Sequence, residues 1–208
     1  MRYLILAAAL VAPALPANAD ACRDEIAALY QGGALDPFAR PPRHEITVAV
    51  QPDGSQTPVS EAYWQEVTKL LSKSGANWFL TYDDRMWMGP SATGPWTLSP
   101  SALPPDFIEM TRAQADENAA NLTETACLGE MTFGGQKLLR YAYRTHTDKT
   151  ARQSWFGGYH TVSINADTGR MMRMEIREMV SSWAPEPTKH MHVTTVDYDV
   201  EFAVTPPQ

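Results

Sequence analysis

Imidazole and thioether side chains are the residues of this chain whose type and spacing could support metal chemistry. His190 and His192 alternate onto one face of the last predicted strand, and His160, Met172 and Met174 fall on the same side of the strands before it. If neighbouring strands align these side chains, they would form a copper site, because copper accepts such ligands. The interpretation we favour is that the two terminal histidines lie in water and that evenly spaced methionines fill a core. On that interpretation the chain holds no metal and needs no cofactor.

Carboxylates offer the next possible chemistry. Asp197, Asp199 and Glu201 alternate onto one face of the predicted final strand, a pattern open to a calcium or general-acid interpretation. Acids in this position more often keep a strand soluble, and we prefer that explanation. The sequence contains no Gly-x-Ser-x-Gly, no His-Glu-x-x-His and no phosphate-binding glycine loop. We therefore expect no catalytic residues and a non-enzymatic protein.

Two cysteines, Cys22 and Cys127, are present in the whole chain. In an exported protein such a pair predicts one disulfide. Closing so long a loop stabilises a protein by roughly 2–5 kcal/mol. A redox-active thiol pair is the alternative, but the sequence has no Cys-x-x-Cys motif. A bridge would also leave no thiol to act as a nucleophile.

The first 19 residues have the layout of a secretory signal peptide. Arg2 gives a positive start, an apolar run follows from Leu4 to Leu15, and residues 17–19 form a small-x-small site that predicts cleavage after Ala19. A lipid anchor on Cys22 is disfavoured, because Asp20 stands where acylation requires a small residue. We expect a periplasmic or secreted protein. No later apolar stretch approaches the roughly 18 residues of a membrane span, which argues against stable membrane insertion.

Residues 20–208 are predicted to form a single globular domain. The formal net charge of the full chain is −7 at pH 7, and loss of Arg2 with the signal peptide makes it more negative. An acidic chain without a Lys/Arg cluster is not expected to bind nucleic acid. It is equally poorly suited to adsorb to anionic lipid head groups.

Hydrophobic periodicity predicts three helices and a series of strands. The helices are expected over residues 20–30, 60–74 and 104–122. The middle one is supported by Ser60 as a cap, by Leu70 and Leu71 on an apolar face, and by Gly75 as a stop; a strand pattern alternates less well there. Short strands are expected over residues 44–50, 77–82, 85–88 and 95–98. Trp78, Trp87 and Trp96 fall in this region and could line a pocket, although filling a core is the simpler role.

The last third of the chain, residues 136–204, is predicted to form four strands of an antiparallel meander, preceded by a strand that ends at the Gly134–Gly135 turn. Apolar and polar residues alternate along these strands, so one face of the sheet is wet and the other dry. The final strand is expected to point Val196, Val200 and Val204 inward. Helices must cover the dry face.

The order of these parts resembles that of LolA-like exported proteins, the outer-membrane lipoprotein carriers and their lipid-binding relatives. The shared features are a signal peptide, an N-terminal helix, strands interrupted by a helical cover, and a C-terminal antiparallel run with long strands such as residues 169–175. No residue-level motif accompanies the resemblance. It implies an α+β fold, in which a curved antiparallel half-barrel carries an N-terminal helix and one or two covering helices. It also implies a concave apolar face that holds acyl chains.

The sequence therefore predicts a non-enzymatic protein that binds a lipid, a lipoprotein acyl chain or another apolar ligand. Burial of apolar surface, at roughly 25 cal/mol per Å², would supply the affinity. The residues expected to form the pocket wall are Phe156, Val162, Ile164, Met172, Met174, Ile176, Val196, Tyr198, Val200 and Phe202. The alternative is a structural or interaction module whose helices fill the dry face completely, with another envelope protein as its partner.

Overall fold

The computed structural model describes residues 17–100, 102–149 and 154–207. Most of the predicted signal peptide lies outside these residues, and the predicted cleavage point after Ala19 falls in the first turn of helix α1. In the described part of the chain, no helix has the length and apolar character needed to cross a membrane.

Two α-helices are present, α1 over Ala17–Tyr30 and α2 over Phe107–Ala120. Asp20 in the first turn of α1 suits the positive end of the helix dipole. Gly32 follows α1 with a φ of 88°, a conformation that favours glycine after a helix. Both helices agree with the sequence prediction, which placed them over residues 20–30 and 104–122.

Eleven strands of the described chain form one sheet. They are β1 Arg43–Val50, β2 Gln56–Glu66, β3 Lys69–Ser74, β4 Asn77–Tyr82, β5 Arg85–Gly89, β6 Thr97–Leu98, β7 Thr123–Phe133, β8 Gln136–His146, β9 Phe156–Asn165, β10 Met171–Ser181 and β11 Met191–Asp197. The order across the sheet is β6-β5-β4-β3-β2-β1-β11-β10-β9-β8-β7, with every neighbouring pair antiparallel. The predicted fold class, a curved antiparallel sheet with an N-terminal helix and one or two covering helices, is confirmed, and α2 is the covering helix.

The helix predicted over residues 60–74 is wrong. This segment belongs to β2 and β3, which pair as a hairpin with Tyr63 opposite Leu71 and Trp64 opposite Leu70. Apolar residues occupy both faces of the hairpin because both are partly covered, so strict alternation is lost. The remaining apolar spacing happened to match a helical period.

The final strand ends earlier than predicted. β11 stops at Asp197, and residues 198–207 form no strand, although burial still alternates as far as Val204. Two hydrogen bonds fix this tail: the Tyr198 hydroxyl donates to the Met171 carbonyl at 3.0 Å, and the Val204 N–H donates to Gln65 Oε1 at 2.8 Å. The predicted acidic face of a strand is therefore a run of tail residues with one acid, Asp197, still in β11.

Met172 does not share a face with Met174 and Ile176, contrary to the prediction. The pairing of β10 with β9 shifts register between Met171 and Arg173. A bulge of this kind turns the residues before it onto the other face. As a result Met171 is the buried residue, 2 % exposed, and Met172 lies on the face away from the helices.

Two separate apolar cores form on the sheet. The helix-covered core lies between α1, α2 and the β8–β11 strands; its most buried members are Ile26, Tyr143, Val162 and Met171. The tail-covered core consists of Leu80, Trp87 and Val204, with Leu71, Tyr82, Trp96 and Phe202 packed around them. Trp87 and Trp96 therefore fill a core, as favoured from the sequence.

The predicted disulfide between Cys22 and Cys127 is present, with the two Cα atoms 5.6 Å apart and the residues 105 positions apart in the chain. It joins α1 to β7, the strand at one edge of the sheet. The edge strand and the N-terminal helix are thus held together covalently as well as by packing.

Candidate functional site

A cavity of about 540 Å³ lies beside the helix-covered core, where α2 meets the ends of β8, β9 and β10. Its apolar side consists of sheet and loop residues, and its polar side includes residues of α2. The lining residues are Gln114, Asn118, Thr145, Thr147, Phe156, Gly157, His160, Ile176, Met179, Val180, Ser181, Trp183, Ala184, Thr188 and His192. The helices therefore cover the dry face of the sheet incompletely.

The floor of the cavity is set by neighbouring strands in register. Tyr143 of β8 pairs with His160 of β9, His160 with Ile176 of β10, and Ile176 with His192 of β11. Residues paired in this way share a face, so the four side chains form one row across the sheet. Two histidines of this row line a cavity whose remaining wall is mostly apolar.

Gly158 keeps the β9–β10 pair close beneath the cavity. A Cβ atom on Gly158 would lie 2.8 Å from Cγ2 of Ile176 and 3.2 Å from the Arg177 carbonyl oxygen. Any side chain there would displace Ile176 from the floor.

Phe156 and Trp183 line the cavity and remain exposed to solvent. Their ring centroids are 5.0 Å apart with planes at 83°, and the side chains are 43 % and 68 % exposed. The loop that carries Trp183 is tied to the sheet, because Thr188 N–H donates to the Met179 carbonyl and Ser182 N–H donates to the Trp155 carbonyl. Exposed aromatic side chains at such a position are suited to contact an apolar molecule.

His160 is a largely enclosed imidazole in the cavity floor. It stacks on Tyr143 with ring centroids 5.1 Å apart, and its buried Nδ1 has no hydrogen-bond partner in the described part of the protein. Burial, followed by the charge of Arg144, lowers the pKa of His160 to about 4. Burial and then the neighbouring His190 also lower the pKa of His192. Both floor histidines are therefore neutral near pH 7.

The helix side of the cavity is fixed by hydrogen bonds between β8 and the C-terminal end of α2. Thr145 Oγ1 donates to the Asn118 carbonyl at 2.6 Å, and the Asn121 side-chain amide donates to the His146 carbonyl at 3.0 Å. Because Asn121 is engaged at the C-terminal end of α2, this end of the helix is held against the sheet. The helix wall is consequently a defined surface.

The ten residues predicted to form the pocket wall separate into several groups. Phe156 and Ile176 line the cavity. Val162, Ile164, Met174, Val196 and Tyr198 lie in or against the helix-covered core, Phe202 packs in the tail-covered core, Met172 lies on the opposite face, and Val200 is half-buried in the tail. Their role in ligand binding stays a prediction.

Trp183, Met179 and Val180 line the cavity and were absent from the predicted wall. Met179 and Val180 belong to a strand whose register shifts between Arg177 and Val180, so alternation could not place them. Trp183 lies in a loop, where an apolar residue has no periodic partner. The one signal in the sequence was a tryptophan in a segment that also contains Pro185 and Pro187.

The residues of the predicted copper site come together only in part, because His160 and His192 both line the cavity whereas Met172 does not. His190 and His192 stack with ring centroids 5.1 Å apart, but Met172 lies on the opposite face of the sheet. Among the described residues, no group of three or more His, Cys, Asp or Glu side chains could hold a metal ion. The predicted set of five His and Met side chains is therefore not assembled as a whole, since Met172 lies on the other face of the sheet.

A second groove, of about 600 Å³, lies on the face of the sheet away from the helices. Met131, Phe133, Leu138 and Met172 give it an apolar wall, and Arg140, Arg173 and Glu175 also line it. Phe133 is 71 % exposed at its edge. This groove differs from the cavity because charged side chains form part of its wall.

No known family model matches this chain, and no curated protein matches it. Its solved structural neighbours include LprF from Mycobacterium bovis, which is 11 % identical over 88 % of this chain and 97 % of that one, with a TM-score of 0.48. The lipoprotein LppX from Mycobacterium tuberculosis is 11 % identical over 89 % and 99 %, with a TM-score of 0.49. A LolA superfamily protein from Nitrosomonas europaea is 6 % identical over 82 % and 90 %, with a TM-score of 0.32.

The predicted LolA-like architecture consists of an open antiparallel sheet with helices on one face, and the described strands and helices have this arrangement. The cavity of this sheet is interpreted from its own residues.

Proposed function

We propose that the protein is an exported, non-enzymatic binding protein that holds the apolar part of a lipid, such as an acyl chain, in the cavity between α2 and the ends of β9 and β10. The observation that carries this proposal is the cavity itself. Its volume of about 540 Å³ lies within the roughly 300–1,000 Å³ of small-molecule pockets. Phe156, Ile176, Met179 and Val180 supply an apolar wall.

Hydrophobic transfer alone could supply the affinity. Each buried methylene contributes roughly 0.8 kcal/mol, so about ten methylenes contribute on the order of 8 kcal/mol before the cost of association is subtracted. Tight binding would require a longer chain or additional polar contacts. Phe156 and Trp183, which lie exposed beside the cavity, would cover the part of the chain that projects from it.

Export is proposed from two features of the chain. The N-terminal residues have the composition of a signal peptide, and the Cys22–Cys127 bridge is typical of an oxidising compartment such as the periplasm. A carrier in that compartment would meet lipids and lipoproteins as its cargo.

Native mass spectrometry of the protein purified from its own host tests the proposal. We expect a bound species with the mass of a lipid, which is lost when Ala184, an exposed residue of the cavity wall, is replaced by tryptophan. The matched control is Gln136→Trp, because Gln136 is also exposed but lines the groove on the opposite face. Protein that never carries lipid would refute the proposal, and loss of lipid in the Gln136→Trp variant alone would assign binding to the opposite groove.

An interaction module that binds another envelope protein is the second candidate. It is favoured by Phe133 and Leu128, which are 71 % and 48 % exposed on the edge strand β7. Replacing both by serine would abolish such an interaction and leave lipid binding in the cavity unchanged. This double variant and Ala184→Trp together separate the two functions.

A further inference from the structure

The cavity wall lacks charge, and this limits which lipid head group it can enclose. No Lys, Arg, Asp or Glu is found among the described residues that line it. Enclosing an ionised carboxylate, phosphate or ammonium group without a partner costs far more than enclosing a neutral group that makes hydrogen bonds. A wall of this composition therefore discriminates by charge.

Several polar groups of the wall are already engaged within the protein. Thr145 Oγ1 donates to the Asn118 carbonyl, and Thr147 Oγ1 accepts the Phe156 N–H. Thr188 Oγ1 accepts the Met179 N–H and donates to the His190 carbonyl. These hydroxyls are committed to holding the strands and loops in place.

Three other polar side chains of the wall, those of His160, His192 and Gln114, make no hydrogen bond within the described structure. All three are neutral near pH 7. The amide of Gln114 carries no charge, and burial lowers the pKa of both histidines. A neutral imidazole offers one N–H donor and one acceptor. His160 lies in the floor row between Tyr143 and Ile176, and its Nδ1 is buried without a hydrogen-bond partner in the described structure.

We propose that the cavity selects lipids with an uncharged, hydrogen-bonding group, such as a hydroxyl or an ester, and that His160 is the residue that meets this group. The inference rests on the proposed lipid-binding function and names its ligand class. His192 and Gln114 stand on two other sides of the same space and can complete the contact.

Displacement of Nile red, a neutral apolar dye, from the wild-type protein at pH 7.5 is the first test. The competitors share one chain length and differ in the head: dodecanol and methyl laurate are neutral, laurate is an anion, and dodecyltrimethylammonium is a cation. All are used below the concentrations at which they form micelles. We expect the two neutral compounds to displace the dye at concentrations at least about tenfold lower than either ion.

The His160→Leu and His160→Gln variants test the assigned residue. We expect about tenfold weaker binding of dodecanol by His160→Leu and near wild-type binding by His160→Gln, because glutamine restores a donor and an acceptor. His146→Leu is the control, since His146 is exposed and outside the cavity. Circular dichroism checks the fold of each variant, and the head-group comparison needs no variant at all.

The outcomes separate this inference from the function on which it rests. Equal or tighter binding of laurate would overturn the head-group preference while lipid binding stands. Unchanged dodecanol affinity in a folded His160→Leu variant would overturn the role of His160. Failure of the dye and of all four competitors to bind would refute the proposed function itself, and with it this inference.

Discussion

The β7–β11 half of the sheet and the β1–β6 half use the same antiparallel pairing but differ in what covers them. Against the first half lie two helices, and the resulting core includes side chains with no exposed surface, such as Ile26 and Val162. Against the second lies the C-terminal tail, whose Val204 and Phe202 complete a smaller core with Leu80 and Trp87. The two helices form the larger cover, and a cavity remains at its margin.

The comparison indicates that deep burial and ligand space are compatible within one half of a sheet. Close packing under α1 supplies stability, so the region under α2 can remain incompletely filled. The tail of the other half is a single extended segment, and its role is to cover apolar residues.

Replacing one apolar residue in each core should give the largest difference. We expect Ile26→Ala to lower the free energy of unfolding by about 4 kcal/mol, because Ile26 is a fully buried residue of the disulfide-linked helix α1. Leu80→Ala should lower it by about 2 kcal/mol, since its core is smaller and can relax around the missing atoms. Urea denaturation measures both values. A greater loss for Leu80→Ala would contradict the ranking of the two cores.

The pH dependence of stability should identify the helix-covered half, where His160 lies. The folded-state pKa of His160, about 4, is below its ordinary value of 6.5. The unfolded chain therefore takes up the proton first as the pH falls, and the contribution of His160 is complete above pH 6.5 and declines below it. We expect wild-type protein to lose about 2 kcal/mol more than His160→Gln between pH 6.5 and pH 5. Parallel stability curves for the two proteins would show that His160 titrates normally.

A smaller effect is expected where the tail is attached. Gln65→Ala removes the acceptor of the Val204 N–H and should cost about 1 kcal/mol. Hydrogen exchange of the Val204 amide should accelerate, whereas lipid binding should not change. Gln56→Ala, an exposed glutamine of the same strand, is the control. Impaired lipid binding in Gln65→Ala would show that the two halves are coupled.

Much of the fold could be predicted from the sequence, for identifiable reasons. The C-terminal strands alternate cleanly because one face is covered by helices, so Val162, Ile164 and Val196 were placed on the correct side. The disulfide followed from the presence of two cysteines and a predicted signal peptide. The hairpin of β2 and β3 was missed because partial cover on both faces removes the alternation that identifies a strand.

The site was less accessible to prediction than the fold. Alternation specifies which side chains point toward the dry face, but not which of them the helices cover. Val162 and Ile176 satisfy the same pattern, yet one is packed in the core and the other lines the cavity. The bulge at Met172 also reverses a face without a sequence signal, since no glycine marks it.

The order of strands has a consequence for biosynthesis. β1 and β11 are partners at the centre of the sheet, and Thr47 and Thr194, whose hydroxyl oxygens are 2.8 Å apart, are separated by 147 positions in the chain. Until residues 191–197 have been made, both β1 and β10 present open edges that invite pairing with other chains. Such distant pairing also slows folding. We therefore expect the incomplete chain to be prone to aggregation, and this tendency to fall once the last strand is inserted between the two edges.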